Sequence, residues 1–260
     1  MSYTHPAMDS MDLYKSAYSA KGLPVDAALG RVDTVDVMGW GYQQSLVLWY
    51  HLLNCGFRIP AAAGTDVFLN RIVSSPPGWG RAYVYLNERL TYGAWMRGQR
   101  AGRSFVTSGP MLEMTAGTLT PGDTLKLDAP GEVKLHARAW SNHPLDALEI
   151  VVSGRVVQTI TPAAGAREAV FDGSVPVDRT GWLAVRCTAE NRSRSAHMNP
   201  IWVEVRGHPS DARSDAEFLL KWIERLEADL RKRDRLSGPG RDHAMQQIEA
   251  ARAVYRKLIP

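Results

Sequence analysis

Two residues, His5 and Asp66, have the chemical types and the settings that metal-dependent catalysis uses. His5 is followed by Pro6, which favours an extended or turned backbone at the imidazole. Asp66 follows the apolar run 59–63 and the flexible Gly64, at the place where a strand should end. Barrel enzymes gather imidazole and carboxylate ligands at the carboxyl ends of their strands. An aspartate that caps a turn is the alternative interpretation of Asp66.

The remaining reactive residue types lack the spacing of a site. The sequence contains neither a glycine-rich phosphate loop nor a Gly-x-Ser-x-Gly elbow. Cys55 and Cys187 are far apart and are predicted to be buried free thiols rather than metal ligands. Five histidines are predicted to have roles other than metal binding: His51, His136, His143, His208 and His243.

The composition is that of a soluble globular protein with a substantial core. The chain has 260 residues, of which 45% are hydrophobic and 22% charged, with a net charge of +4. No long basic stripe accompanies that charge, so we expect a small-molecule substrate and no nucleic acid. No apolar run approaches the roughly 18 residues of a membrane span. The start lacks the pattern of a signal peptide, which makes the cytoplasm the default compartment. We expect, however, that the N-terminus is incomplete, so the compartment stays open.

Residues 1–102 alternate strand and helix patterns, as an α/β domain does. An apolar run at 35–38 predicts a strand, helical spacing at 43–54 predicts a helix, and Gly56 is placed for a left-handed cap. Residues 59–63 and 82–86 predict further strands, and residues 88–100 a helix. We expect the functional residues His5 and Asp66 to be positioned by this portion.

Residues 103–208 change to a period of two, and residues 209–260 return to helical spacing. Strands are predicted at 132–140, 182–188 and 201–205, with a hairpin at 148–160 about Ser153-Gly154, which together indicate an antiparallel β-sandwich. Ser214 and Glu217 fit a capping box that opens the first of two helices joined by the loop 237–240. The fold class is therefore α+β and multi-domain, ending in a helical hairpin whose apolar stripes pack on the sandwich, the α/β portion or a second subunit.

Three segments resemble the PHP (polymerase and histidinol phosphatase) metallohydrolases, in the branch that includes carbaryl hydrolases. The segment WYHLLNCGFRIP at 49–60, with AGTD at 63–66, resembles the end of the catalytic domain in that branch. RAGRSFVTSGP at 100–110 is similar to the passage that leaves that domain, and AHMNPIWV at 196–203 to the last strand of its appended sandwich. The resemblance implies that residues 1–102 are the C-terminal part of a PHP-type α/β barrel.

The resemblance also implies a function. Members of the family bind two or three divalent ions, usually zinc, iron or manganese, and a metal-bound hydroxide attacks a phosphoester, carbamate or related ester. By this resemblance His5 and Asp66 match metal ligands of the family. His197 lies in the sandwich motif and is a further candidate, with a packed structural histidine as its alternative.

Departures from the family pattern predict weak metal binding. The family begins with a His-x-His pair that is not found here, and Phe68 stands where many members have a histidine. Two protein ligands do not complete a catalytic zinc site, which normally has three and a water. We therefore expect an N-terminally incomplete chain whose divalent metal is weakly bound or absent.

Two other hypotheses follow from the same sequence. The first is a non-catalytic binding or interaction module, in which exposed Trp140 and Trp202 of the sandwich contact a sugar or another protein chain. The second is a remnant with open strand edges that self-associates, so an oligomer is possible.

Overall fold

A computed structural model describes residues 1–7, 21–38, 42–72, 74–233 and 238–259, and these form a mixed α+β structure. The α+β class predicted from the sequence is confirmed. None of the described helices combines the length and the apolar character that crossing a membrane requires. Cys55 and Cys187 are both buried free thiols, as predicted.

The first portion contains a small parallel sheet covered by helices. Its elements are β1 (Ser2–Tyr3), α1 (Leu23–Ala28), β2 (Thr34–Met38), α2 (Tyr42–Asn54), β3 (Ala61–Ala63), β4 (Arg81–Val84) and α3 (Tyr92–Arg100). The parallel sheet has the order β1-β2-β3. Its three strands point the same way, so their carboxyl ends meet at one edge. That these strands belong to a barrel stays a prediction.

The ends of the helices follow from local side-chain and backbone bonds. Gly56 has a φ of 84°, and the backbone N–H of Phe57 donates to the carbonyl of Leu52 at 3.1 Å, which confirms the predicted left-handed cap of α2. The helix predicted at 88–100 begins later, at Tyr92. The reason is Thr91, whose hydroxyl accepts the N–H of Ala94 at 3.1 Å and so caps the helix there.

The middle portion consists of two sheets that enclose a common core. Its strands are β5 (Ser104–Thr107), β6 (Met111–Thr115), β7 (Thr124–Leu127), β8 (Gly131–Trp140), β9 (Leu145–Val152), β10 (Arg155–Ile160), β11 (Glu168–Val177), β12 (Gly181–Ala189), β13 (Arg194–Met198) and β14 (Ile201–Val205). The smaller sheet has the order β11-β8-β6 and the larger β10-β9-β12-β13-β5-β4, with β14 joining β12 to β7. The pairs are antiparallel except β7 with β14. Because β4 pairs with β5, the larger sheet includes a strand from residues 1–102. The proposed division into domains at 1–102, 103–208 and 209–260 stays a prediction.

The central strand β12 of the larger sheet is buried on both faces over residues 182–185. Leu183 and Val185 of β12 face the smaller sheet, whereas Trp182 and Ala184 belong to the core formed with the helices. A segment covered on both sides has no polar face, which accounts for the continuous apolar run at 182–185. The sheet therefore connects the sandwich to the portion that carries His5 and Asp66.

The last two helices complete the second core. They are α4 (Arg213–Arg233) and α5 (Gly238–Arg256). Their buried side chains, among them Ile223 and Tyr255, pack with α1 and α2, so the α/β portion is the surface that covers the predicted stripes. The helix α4 begins at Arg213, so Ser214 lies within its first turn and the prediction that it is the N-cap was wrong by two positions. Ser237 of the predicted loop lies outside the described residues, and the prediction was wrong for 238–240, which begin α5.

Candidate functional site

His5 and Asp66 converge at the carboxyl-end edge of the parallel sheet. His5 follows β1 and Asp66 follows β3, the two outer strands of that sheet. His5 Nε2 lies 3.4 Å from Asp66 Oδ2, and the side chains are 31% and 50% exposed. The pair is therefore accessible to solvent and to a ligand. Its role as a metal-binding pair stays a prediction.

Both residues have an unusual backbone conformation. The φ of His5 is 49° and that of Asp66 is 51°, in the left-handed region that few residues other than glycine adopt. Each such residue costs roughly 1 kcal/mol relative to a right-handed conformation. Strain of this kind concentrates at functional sites, where the surrounding structure holds a side chain in one position. They are two of the six described non-glycine residues that have a positive φ, and their side chains meet.

Asp36, in the middle of β2, is a third member of this site that the sequence did not indicate. Its carboxyl pKa is raised to about 7, chiefly by burial. A hydrogen bond from the backbone N–H of Gly64 lowers the pKa in part, and the negative charge of Asp66 adds to the rise. Its Oδ1 atom is buried and has no hydrogen-bond partner among the described residues. The available signal for a site residue was a carboxylate between the two valines of β2. That run by itself predicts only a strand.

Two glycines allow the segment before Asp66 to approach its neighbours closely. A Cβ on Gly64 would lie 3.0 Å from Asp36 Oδ2, and one on Gly80 would lie 2.7 Å from the carbonyl oxygen of Gly64. Thr65 adds a bond at the same place, because its hydroxyl accepts the N–H of Gly80 at 3.2 Å. These contacts fix the backbone that presents Asp66. We define His5, Asp36 and Asp66 as the strand-end cluster.

The strand-end cluster fits a divalent ion in part. Imidazole and carboxylate groups are the ligands that zinc, iron and manganese take in proteins. A cation would offset the repulsion between Asp36 and Asp66 and give the unpaired Oδ1 a partner. Within the ranges that the structure describes, however, no three His, Cys, Asp or Glu side chains are close enough together to hold an ion. The described side chains therefore supply an incomplete set of ligands, and weak or absent metal binding stays a prediction.

His197 lies apart from the strand-end cluster and has a structural environment. It is fully buried in β13, and burial lowers its pKa to about 3, so the ring is neutral. Nδ1 donates to the carbonyl oxygen of Met198 at 2.8 Å, which leaves Nε2 to accept the hydroxyl of Tyr50 at 2.5 Å. Because both ring nitrogens have partners, neither is left for a metal ion. Through the hydrogen bond with Tyr50, the ring links the larger sheet to α2.

The two tryptophans proposed as a binding surface differ from expectation. Trp202 is only 8% exposed and packs in the core with the helices, so its predicted exposure was wrong. The guanidinium carbon of Arg58 lies 5.0 Å from its ring centroid and covers what remains. Trp140 is half-buried, with the guanidinium carbon of Arg138 4.8 Å from its ring centroid. These rings do not form an open aromatic platform.

Comparisons with known proteins give no family. No family model matches the chain, and no curated protein matches it. Among solved structures, fibronectin(III)-like modules of CbhA from Clostridium thermocellum align at 14% identity over 36% of this chain and 94% of that chain, with a TM-score of 0.26. A superoxide reductase (neelaredoxin) from Ignicoccus hospitalis aligns at 18% identity over 38% of this chain and 82% of that chain, with a TM-score of 0.23. Alignments this weak carry no conclusion about fold or function.

Proposed function

We propose that the chain is part of a metal-dependent hydrolase of the PHP type, with the strand-end cluster as its share of the metal site. The observation that carries the proposal is the contact of 3.4 Å between two strained residues, His5 and Asp66, beside the buried carboxylate of Asp36. His5 and Asp66 follow the carboxyl ends of parallel strands, the position where barrel enzymes act, and Asp36 lies within the strand between them.

The cluster's residues would hold and orient a zinc, manganese or iron ion. His5 Nε2 and Asp66 Oδ2 are the accessible donors, and Asp36 Oδ1 is the unpaired buried acceptor beside them. A divalent ion, when bound, lowers the pKa of its water and stabilises the negative charge that develops during ester hydrolysis. The proposed substrate is a small molecule with a phosphoester, carbamate or related ester bond. Because the ligand set is incomplete, the chain alone should bind the ion weakly.

Zinc titration by calorimetry tests the proposed site. We expect a single weak site, with a dissociation constant above about 1 μM, that disappears in His5→Gln and in Asp66→Asn. The matched control is His136→Gln, because His136 Nδ1 and Asp172 Oδ1 form another exposed pair at 2.6 Å on the sandwich. Zinc binding that persists in both cluster variants, or that is lost in His136→Gln, would refute the proposal. A submicromolar site would refute the predicted weakness.

The alternative is a non-catalytic binding or interaction module derived from such an enzyme. The observation in its favour is a set of half-exposed valines on the outer strands of both sheets, Val156 and Val157 on β10 and Val170 on β11. Exposed apolar side chains on edge strands favour association with another chain. Sedimentation of the protein in the presence of a zinc chelator separates the two functions. A stable oligomer that is unaffected by the chelator, in a protein that binds no zinc, would favour the module.

A further inference from the structure

A second polar site lies away from the strand-end cluster, at the junction of the two cores. A cleft of about 530 Å³ opens between α2, the turn from β9 to β10, the turn from β11 to β12 and the start of α4. Its volume is within the range of small-molecule sites. Most of its lining residues are polar, and they supply hydroxyl, amide, imidazole, carboxylate and guanidinium groups.

An imidazole–carboxylate pair forms one wall of this junction cleft. His51 Nδ1 lies 2.6 Å from Asp215 Oδ1, and Asn54 Nδ2 donates to the same oxygen at 3.3 Å. Because an ionised carboxylate only accepts, Nδ1 carries the proton, and in that neutral tautomer Nε2 is an acceptor. Neither Nε2 of His51 nor Oδ2 of Asp215 has a bond to any described residue. The wall therefore presents two unused acceptors.

The pair is held in position by its neighbours. The His51 ring stacks on Phe218, with ring centroids 4.0 Å apart and an angle of 17°. Asn54 is held in turn, since its Oδ1 accepts the indole N–H of Trp182 at 2.8 Å. Gly154 lines the cleft so closely that a Cβ on it would lie 3.3 Å from the Tyr50 ring. A site whose groups are already oriented loses less entropy when a ligand binds.

Charged groups of both signs line the cleft, three aspartates and two arginines. Arg179 is engaged by Asp178 at 3.4 Å and by Asp211 at 3.3 Å. Arg155, the first residue of β10, is exposed and forms no ion pair within the described ranges. Its guanidinium is thus available as a donor in a cleft whose other wall accepts. An anion would meet three aspartates here, and a cation would meet two arginines.

We propose that the junction cleft binds a small, neutral, polyhydroxylated molecule of the monosaccharide class. A hydroxyl group both donates and accepts, which is what a mixed lining of this kind requires. Ligand hydroxyls donate to His51 Nε2 and Asp215 Oδ2, and a ligand oxygen accepts from Arg155. The proposal needs no metal ion and is independent of the strand-end cluster.

Nitrogen NMR of the histidine rings tests this site directly. The probes are D-glucose, D-galactose and D-mannose, each raised to about 50 mM to cover millimolar affinities. The His51 ring signals are identified by their absence in His51→Gln. We expect at least one sugar to shift the Nε2 signal of His51 in a saturable manner. Arg155→Met should weaken that binding about tenfold, the usual effect of losing a hydrogen bond from a charged group.

The matched control is Arg167→Met, because Arg167 is an exposed arginine of the sandwich that is not part of the cleft lining. The affinity of the Arg167→Met variant for the sugar should equal that of the unmodified chain. Three results would overturn the proposal: no shift of His51 with any of the three sugars, equal affinity in Arg155→Met and the unmodified chain, or a response to inorganic phosphate or glycine in place of the sugars.

Discussion

Acid should weaken the protein through His197, and the size of the effect follows from its surroundings. Burial lowers the pKa of this imidazole from 6.5 to about 3, so the unfolded chain binds a proton more readily than the folded one below about pH 6.5. Stability is therefore fully present above that pH, falls as pH falls, and levels off below about pH 3. At roughly 1.4 kcal/mol per pH unit, the loss is about 2 kcal/mol at about pH 5 and about 5 kcal/mol in total.

Urea denaturation followed by tryptophan fluorescence measures this effect at about pH 7.5 and about pH 5. The variant that removes it is the double substitution His197→Leu with Tyr50→Phe, since Tyr50 donates its hydroxyl to His197 and would otherwise be left unpaired. Other titrating groups act equally in both proteins, so the difference in pH dependence isolates the imidazole. We expect the double variant to lose about 2 kcal/mol less than the unmodified chain over this interval.

The control is His208→Leu, which makes the same change of side chain at an exposed position. If the double variant and the unmodified chain lose stability equally between the two pH values, within about 0.5 kcal/mol, the inferred burial of a neutral His197 is wrong.

Four further substitutions are expected to change the free energy of unfolding, measured in urea. Asp36→Asn should raise it by up to about 4 kcal/mol at neutral pH in metal-free buffer, because a carboxyl pKa raised from 3.8 to about 7 makes stability fall as pH rises through that interval. Asn199→Ala should lower it by about 3 kcal/mol, since Asn199 accepts the N–H of Ala61 at 2.8 Å and donates to Ser104 at 2.7 Å, both in the core. Gly80→Ala should lower the free energy of unfolding by about 1–3 kcal/mol, because the new Cβ would contact the carbonyl oxygen of Gly64. Gly240→Ala in α5 should raise it by up to about 1 kcal/mol, because the space at its Cβ is open. No change in Asp36→Asn, or equal effects at the two glycines, would contradict the contacts on which these predictions depend.

Features that depend on neighbouring residues could be predicted from the sequence. The hairpin about Ser153-Gly154 is an example: both residues have positive φ, 45° and 84°, as a two-residue turn between twisted strands requires. The helix at 43–54 and its cap at Gly56 follow from spacing and one glycine in the same way. Errors at the starts of α3 and α4 were of a few residues, because a capping side chain or a single turn decides them.

Features that depend on distant residues could not be predicted. His51 and Asp215 are separated by 164 positions and meet only because α4 packs on α2. The site role of Asp36 depends on Asp66 and Gly64 being brought to the same strand ends, which spacing in β2 cannot reveal. His197 and Trp202 show the converse, since their residue types suggested a site or a surface and their packing gave both of them buried structural roles. Residue type predicted which side chains could do chemistry, and tertiary packing decided which of them are accessible.

The contrast between His197 and the strand-end cluster bears on where chemistry should be sought. At His197 both ring nitrogens are bonded and the neutral form is held by burial, so the residue contributes to stability as it stands. At the strand-end cluster, two residues have left-handed backbones, a carboxylate has a raised pKa, and one of its oxygens lacks a partner within the described ranges. Each of these features destabilises the fold. Local costs of this kind are typical of residues kept for function, which makes the cluster, rather than the histidine of the sandwich motif, the place to look for a bound ion.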